Sequence, residues 1–164
     1  MFAAETLTLA QSVLDACRAR SWHVATAESC TGGLVAAALT AIAGSSDVIE
    51  RGFVTYSNEA KAELLGVPPQ IIAAHGAVSA ETAAAMATGA LAHAPIDLAV
   101  SVTGVAGPGG GSAEKPVGLV HFGLARRGGG CRTERHVFAG DRAAVRASAL
   151  QAALVLLAGA ARGE

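Results

Sequence analysis

The run Leu98-Ala99-Val100-Ser101-Val102-Thr103 constrains the fold more than any other stretch of the chain. It is short, apolar or small throughout, and rich in β-branched side chains. A breaker, Pro95-Ile96-Asp97, precedes it and a glycine-rich loop, Gly104 to Ser112, follows, so it reads as a buried strand. A strand with no charged side chain on either face needs covering layers. The rest of the sequence offers them. Leu9, Val13, Leu14 and Cys17 share one helical face, which predicts an amphipathic helix from about Glu5 to Arg20. His23 to Ala27 reads as a second short strand, and Leu34 to Ala43 as a helix closed by Gly44. Ile49 to Tyr56 is a strand, Asn58 to Leu65 a short helix, and Pro68 to Gly76 another. Ser79 is a good N-cap for an Ala-rich helix running to His93. Val117 to Ala125 and Cys131 to Phe138 form a hairpin around Arg126-Arg127-Gly128-Gly129-Gly130, and Asp141 to Ala161 is the last helix. The order α-β-α-β-α-α-α-β-β-β-α predicts an α/β domain in which helices cover a mixed sheet, and it excludes a pure Rossmann repeat.

With 164 residues, 52% hydrophobic and only 15% charged, the chain suits one ordinary globular domain and not a disordered or fibrous class. Twelve basic against thirteen acidic side chains give a net charge of −1, with 4% aromatics, so neither the basic stripe nor the stacking platform of a nucleic-acid module is expected. Cys17, Cys30 and Cys131 form no C-x-x-C pair, and the five histidines never fall at metal-ligand spacing. No metal site is expected. The opening MFAAETLTLAQ lacks the basic and long apolar regions of a signal peptide. Ala152 to Ala161 is too short an apolar run to span a bilayer and reads as a packed helix, so no membrane partner and a cytoplasmic location are expected.

Three segments could carry chemistry. Glu28-Ser29-Cys30-Thr31-Gly32-Gly33 lies at a strand-to-helix junction, where a serine is presented at a sheet end and the following N–H groups could stabilise an oxyanion. Read alone, Ser29 or Thr31 is more simply a helix cap. The second is Tyr56-Ser57-Asn58-Glu59-Ala60-Lys61, with the only tyrosine and a lysine one turn into a helix. A lysine acts as a base only when desolvation or nearby positive charge lowers its pKa; otherwise it is a solvated surface group. The third is the loop from Thr103 through Gly104 and Gly107 to Ser112, whose glycines let backbone approach a ligand. It satisfies neither G-x-x-x-x-G-K-[ST] nor G-x-G-x-x-G, and a flexible surface loop is the competing reading. Arg142 and Arg146 open the final helix, where an arginine would suit a phosphate.

Taken together, the runs TAESCTGG, IAGSSDVIERGFVTYSNEAKAELLGV, HGAVSAETAAAMA, SVTGVAGPGGGSAEKPVG and FAGDRAAVR resemble the CinA C-terminal-domain family, over nearly the whole chain. The resemblance implies a single domain over residues 1–164, a three-layer α/β/α sandwich with a mixed sheet. The family's standalone members deamidate nicotinamide mononucleotide to nicotinic acid mononucleotide. The likeness therefore implies a Ser/Lys amidase in pyridine-nucleotide recycling that needs no cofactor. Carried over by motif, Ser29 is the nucleophile, Lys61 the base and Tyr56 its hydrogen-bonding partner or proton relay. Cys30, Thr31, Gly32 and Gly33 supply oxyanion donors, Cys30 being otherwise structural. Thr103, Gly104 and Gly107 line the pocket, and Arg142 meets the phosphate. A regulatory domain that binds pyridine nucleotides without cleaving them, or a competence- or damage-associated protein, is the alternative. Ala-rich helix faces would suit a homo-oligomer.

Overall fold

The computed structural model describes all residues, 1–164. Its elements follow the expected order: α1 (Ala4–Arg18), β1 (Val24–Glu28), α2 (Leu34–Thr40), β2 (Ile49–Val54), α3 (Asn58–Leu65), α4 (Pro69–His75), α5 (Ala80–His93), β3 (Leu98–Gly104), β4 (Leu119–Arg126), β5 (Gly130–Val137) and α6 (Arg142–Arg162). A single 3-10 turn, Ser45–Asp47, joins α2 to β2. The sheet is ordered β2-β1-β3-β4-β5. β1 runs parallel to β2 and β3, whereas β3, β4 and β5 are antiparallel. The mixed sheet is thus a parallel half joined to a hairpin half.

Alternation along the strands divides the core into two layers. Val24, Leu98, Val100, Val102, Val120 and Phe122 face one side, where α1, α2 and α6 pack. Ala25, Ala27 and Ala99 face the other, against α3 and α5. Small residues on this second face let α5 lie close. At Gly123 an added Cβ would run into the Ala83 carbonyl oxygen of α5. Ser101 Oγ seals the same contact, donating to Ala83 O and accepting the Gly123 N–H at 3.0 Å.

Local differences from the sequence reading have local causes. The helix expected to reach Ala43 ends at Thr40, because the chain leaves the α-helix through short-range turns that close on the left-handed Gly44, φ +79°. β2 ends at Val54, and Tyr56 swings out to 61% exposure. The final helix is longer than its apolar run, and by length and composition α6 would pass for a membrane span. Its buried face, including Val145, Ala149, Leu154 and Leu157, instead packs on α1 and the sheet.

Candidate active site

The site forms where β1 and β3 end, at the carboxyl edge of the parallel strands, the usual ligand edge of an α/β sheet. Its foundation is Glu28, the last residue of β1 and fully buried. One carboxylate oxygen accepts the N–H groups of Gly33 and Val35, both at 3.1 Å, and the other accepts that of Ala36 at 2.9 Å. A carboxylate thereby caps α2 from behind, complementing the positive end of the helix. Gly32 and Gly33, at φ +59° and +98°, supply the left-handed turn this path requires. The cap expected of Ser29 or Thr31 is made by Glu28, which leaves the serine hydroxyl available. The one mark of this role in the sequence is an acid ending a strand of otherwise uncharged residues.

Lys61 sits in the first turns of α3, whose N-cap Ser57 accepts the Ala60 N–H at 3.0 Å. Its side chain is only 1% exposed, so the surface-lysine alternative does not hold. The amine donates to the Thr55 carbonyl at 2.8 Å and to Ser29 Oγ at 3.2 Å. Glu59 and Glu63, the nearest acids in sequence, are both exposed, and Lys61 forms no salt bridge with any carboxylate. Burial without a counter-charge lowers its pKa from the ordinary lysine value, against a weaker opposing influence of Cys30. Burial pushes the Cys30 thiol up to about 11, so it stays protonated near neutral pH and does not compete with Ser29 as a nucleophile.

The four expected oxyanion donors separate into two pairs. The Gly32 N–H donates to Ser29 O at 3.0 Å and the Gly33 N–H to Glu28, so neither is free. This corrects the expectation for Gly32 and Gly33. Cys30 and Thr31 have N–H groups with no acceptor in the protein. Arg146, expected near a phosphate, instead donates to the carbonyls of Cys30 at 3.1 Å and Thr31 at 3.2 Å.

Arg142 bridges the mouth of the site, donating to Gly107 O at 2.8 Å and to Tyr56 Oη at 2.9 Å. Tyr56 therefore meets Arg142 and makes no hydrogen bond to Ser29 or Lys61, contrary to the relay expected of it. The acid beside the arginine is turned away: Asp141 caps α6 by accepting the Ala144 N–H at 2.9 Å. Thr103 is buried beside Ser29, whose N–H donates to the neighbouring Val102 carbonyl at 2.9 Å. The Thr103 hydroxyl donates to Ala77 O at 2.7 Å, tying the start of α5 to the sheet edge. At Gly104 a Cβ would lie 2.7 Å from Leu119 O, so the strand end must be glycine. Nowhere do three or more His, Cys, Asp or Glu side chains gather at a metal-binding spacing.

The paired serine and buried lysine, two free N–H groups and a bridging arginine form a hydrolase-like arrangement, and the chain is similar to known proteins over most of its length. A nicotinamide-nucleotide amidohydrolase PncC of Escherichia coli (strain K12) is 54% identical over 153 residues, 93% of each protein. A CinA-like protein of Geobacter sp. (strain M21) is 62% identical over 123 residues, 75% of this chain and 30% of that longer one. The crystal structure of competence/damage inducible protein CihA from Agrobacterium tumefaciens superposes with a TM-score of 0.93 at 47% identity, over 96% of each chain. The family model described as CinA C-terminal domain matches residues 6–161, and the chain belongs to that family.

Proposed function

We propose that the protein hydrolyses the carboxamide of nicotinamide mononucleotide to nicotinic acid mononucleotide and ammonia, through an acyl-enzyme on Ser29, as a step in pyridine-nucleotide recycling. The observation that carries this reading is the contact between Ser29 Oγ and a buried, unpaired Lys61 amine, in a chain similar to nicotinamide-nucleotide amidohydrolases. A neutral amine has two N–H bonds and one lone pair. It can keep its bond to the Thr55 carbonyl while accepting the Ser29 hydroxyl proton. Ser29 Oγ then attacks the carboxamide carbon, and the Cys30 and Thr31 N–H groups stabilise the oxygen as it gains charge. Collapse breaks the C–N bond, with the proton on Lys61 passing to the leaving nitrogen to give ammonia. Water then loses a proton to Lys61 and attacks the ester carbon; the C–Oγ bond breaks, and the Lys61 proton returns to Ser29 Oγ as the acid leaves, restoring both the hydroxyl and the neutral amine. The chemistry follows serine-triad logic with a lysine in place of histidine.

Free nicotinamide carries the same carboxamide, so discrimination rests on the ribose and phosphate. Arg142 is the proposed phosphate contact. It is exposed and holds two neutral acceptors, and a dianionic phosphate would be the stronger partner for its guanidinium. The test is ammonia release from nicotinamide mononucleotide, with free nicotinamide and the dinucleotide measured alongside. Turnover of the mononucleotide alone supports the reading. Absence of ammonia from the mononucleotide refutes it.

A further inference from the structure

We infer that Arg146 is a positioning residue that aims and polarises the oxyanion donors, an inference that rests on the amidase reading above. The argument comes from the planarity of the peptide group. A carbonyl and the N–H of the next residue share one plane and point in opposite directions. Each free donor at the site can therefore be traced to the carbonyl behind it.

The Cys30 N–H belongs to the Ser29–Cys30 peptide, whose carbonyl accepts the Gly32 N–H at 3.0 Å. The Thr31 N–H belongs to the Cys30–Thr31 peptide, whose carbonyl accepts Arg146 Nε at 3.1 Å. The next carbonyl, Thr31 O, accepts the same guanidinium at 3.2 Å, and the N–H of that peptide is the Gly32 donor just named. Every peptide from Ser29 to Gly32 is thus held from its carbonyl side; Arg146 alone holds Cys30 O, the carbonyl behind the free Thr31 N–H, and shares Thr31 O with the Leu34 N–H. A guanidinium suits the task because its planar fork meets two successive carbonyls at once, which a single ammonium cannot do.

The charge matters as well as the geometry. A cation on a carbonyl oxygen draws electron density through the peptide and strengthens the N–H on its far side as a donor. That gain is greatest when an oxyanion forms opposite the N–H, so the effect belongs to the transition state and to kcat. Arg146 lies more than a hundred residues from the loop it holds, on α6, and does not require contact with substrate. Its action differs from that assigned to Arg142, which would be read in KM and in substrate choice.

The experiment measures ammonia release from nicotinamide mononucleotide by the full chain, as wild type, Arg146→Ala and Arg146→Lys, with thermal unfolding of each. Removing one oxyanion donor costs about 100- to 1,000-fold, so weakening and misaiming one should lower kcat of Arg146→Ala by roughly 10- to 100-fold. KM should stay within about twofold, and guanidinium ion added at millimolar level should restore part of the lost kcat only in this variant. Arg146→Lys should lose less than the alanine variant, since it keeps the charge but reaches one carbonyl at a time. An active wild type with an Arg146→Ala kcat within about threefold of it overturns the inference, as does a loss confined to KM. Failure of guanidinium to restore a folded variant overturns it too. Should Arg146→Ala not fold, an Arg146→Lys enzyme with unchanged kcat is the overturning result. Inactivity of the wild type would instead count against the amidase reading itself.

Discussion

Replacing Glu28 by Gln changes almost no volume, yet it should be among the most damaging substitutions in the protein. The carboxylate is fully buried and accepts three backbone N–H groups with its two oxygens. Glutamine offers one oxygen. Turned so that this oxygen serves Gly33 and Val35, its NH2 group faces the Ala36 N–H, donor against donor. One buried N–H then loses its partner, the remaining bonds lose their charge assistance, and the positive end of α2 loses its counter-charge. A charged hydrogen bond is worth about 1.5–3 kcal/mol, an unsatisfied buried donor costs a similar amount, and the helix-end charge adds up to ~2 kcal/mol. Because these effects overlap, the net loss should be about 3–5 kcal/mol, or roughly 10 °C in melting temperature for a domain of this size. Urea denaturation followed by circular dichroism measures it. Asp141→Asn is the control, since Asp141 caps α6 in solvent and asparagine caps as well, so that change should be within about 0.5 kcal/mol. A Glu28→Gln loss below about 1 kcal/mol would refute the reasoning, because it would mean that the α2 cap does not depend on an ionised buried carboxylate.

The remaining predictions concern the site. Lys61→Met should abolish ammonia release while raising stability at pH 7 in the same urea assay, because it removes a cation whose charged form the fold disfavours. The sign follows from the lowered pKa: the penalty is full below the folded value and vanishes above the ordinary lysine value, so wild-type stability rises with pH across that window. For the same reason kcat/KM should climb with pH through one ionisation lying below the ordinary lysine value and then level off; a profile flat up to that value would exclude Lys61 as the base. Arg142→Ala should lower kcat/KM for the mononucleotide by roughly 10- to 150-fold and leave any slow turnover of free nicotinamide nearly unchanged; equal losses on both would make Arg142 a support for the Gly107 loop.

Much of this architecture can be read from the residues themselves. The strand read over Leu98 to Thr103 follows from a short run without charge behind a breaker, and the helix beginning at Ala80 from its cap Ser79, whose hydroxyl accepts the Thr82 N–H. The order of strands in the sheet does not follow, because short-range signals carry no information on which strands pair across the crossovers. At the site, the Ser29 and Lys61 positions stand out only by resemblance. Residue by residue they look like a cap and a surface charge, and their meeting depends on a separation of 32 positions. Glu28 and Arg146 are less legible still. Each acts on backbone groups, Glu28 on N–H donors and Arg146 on carbonyls, and backbone polarity leaves no mark in a sequence. The Gly32 and Gly33 N–H groups differ from expectation for that reason, since a glycine pair after a strand reveals the turn but not which N–H groups the turn consumes.

The most direct test of the central claim is to look for the acyl-enzyme. The protein is mixed with nicotinamide mononucleotide, quenched in acid within the first turnover, digested and analysed by peptide mass spectrometry. The account predicts a nicotinic acid mononucleotide acyl group esterified to Ser29 in the wild type, and neither adduct nor ammonia with Ser29→Ala. Rapid ammonia release by the wild type with an unmodified Ser29 peptide, together with a Ser29→Ala variant that retains the wild-type rate, would contradict it.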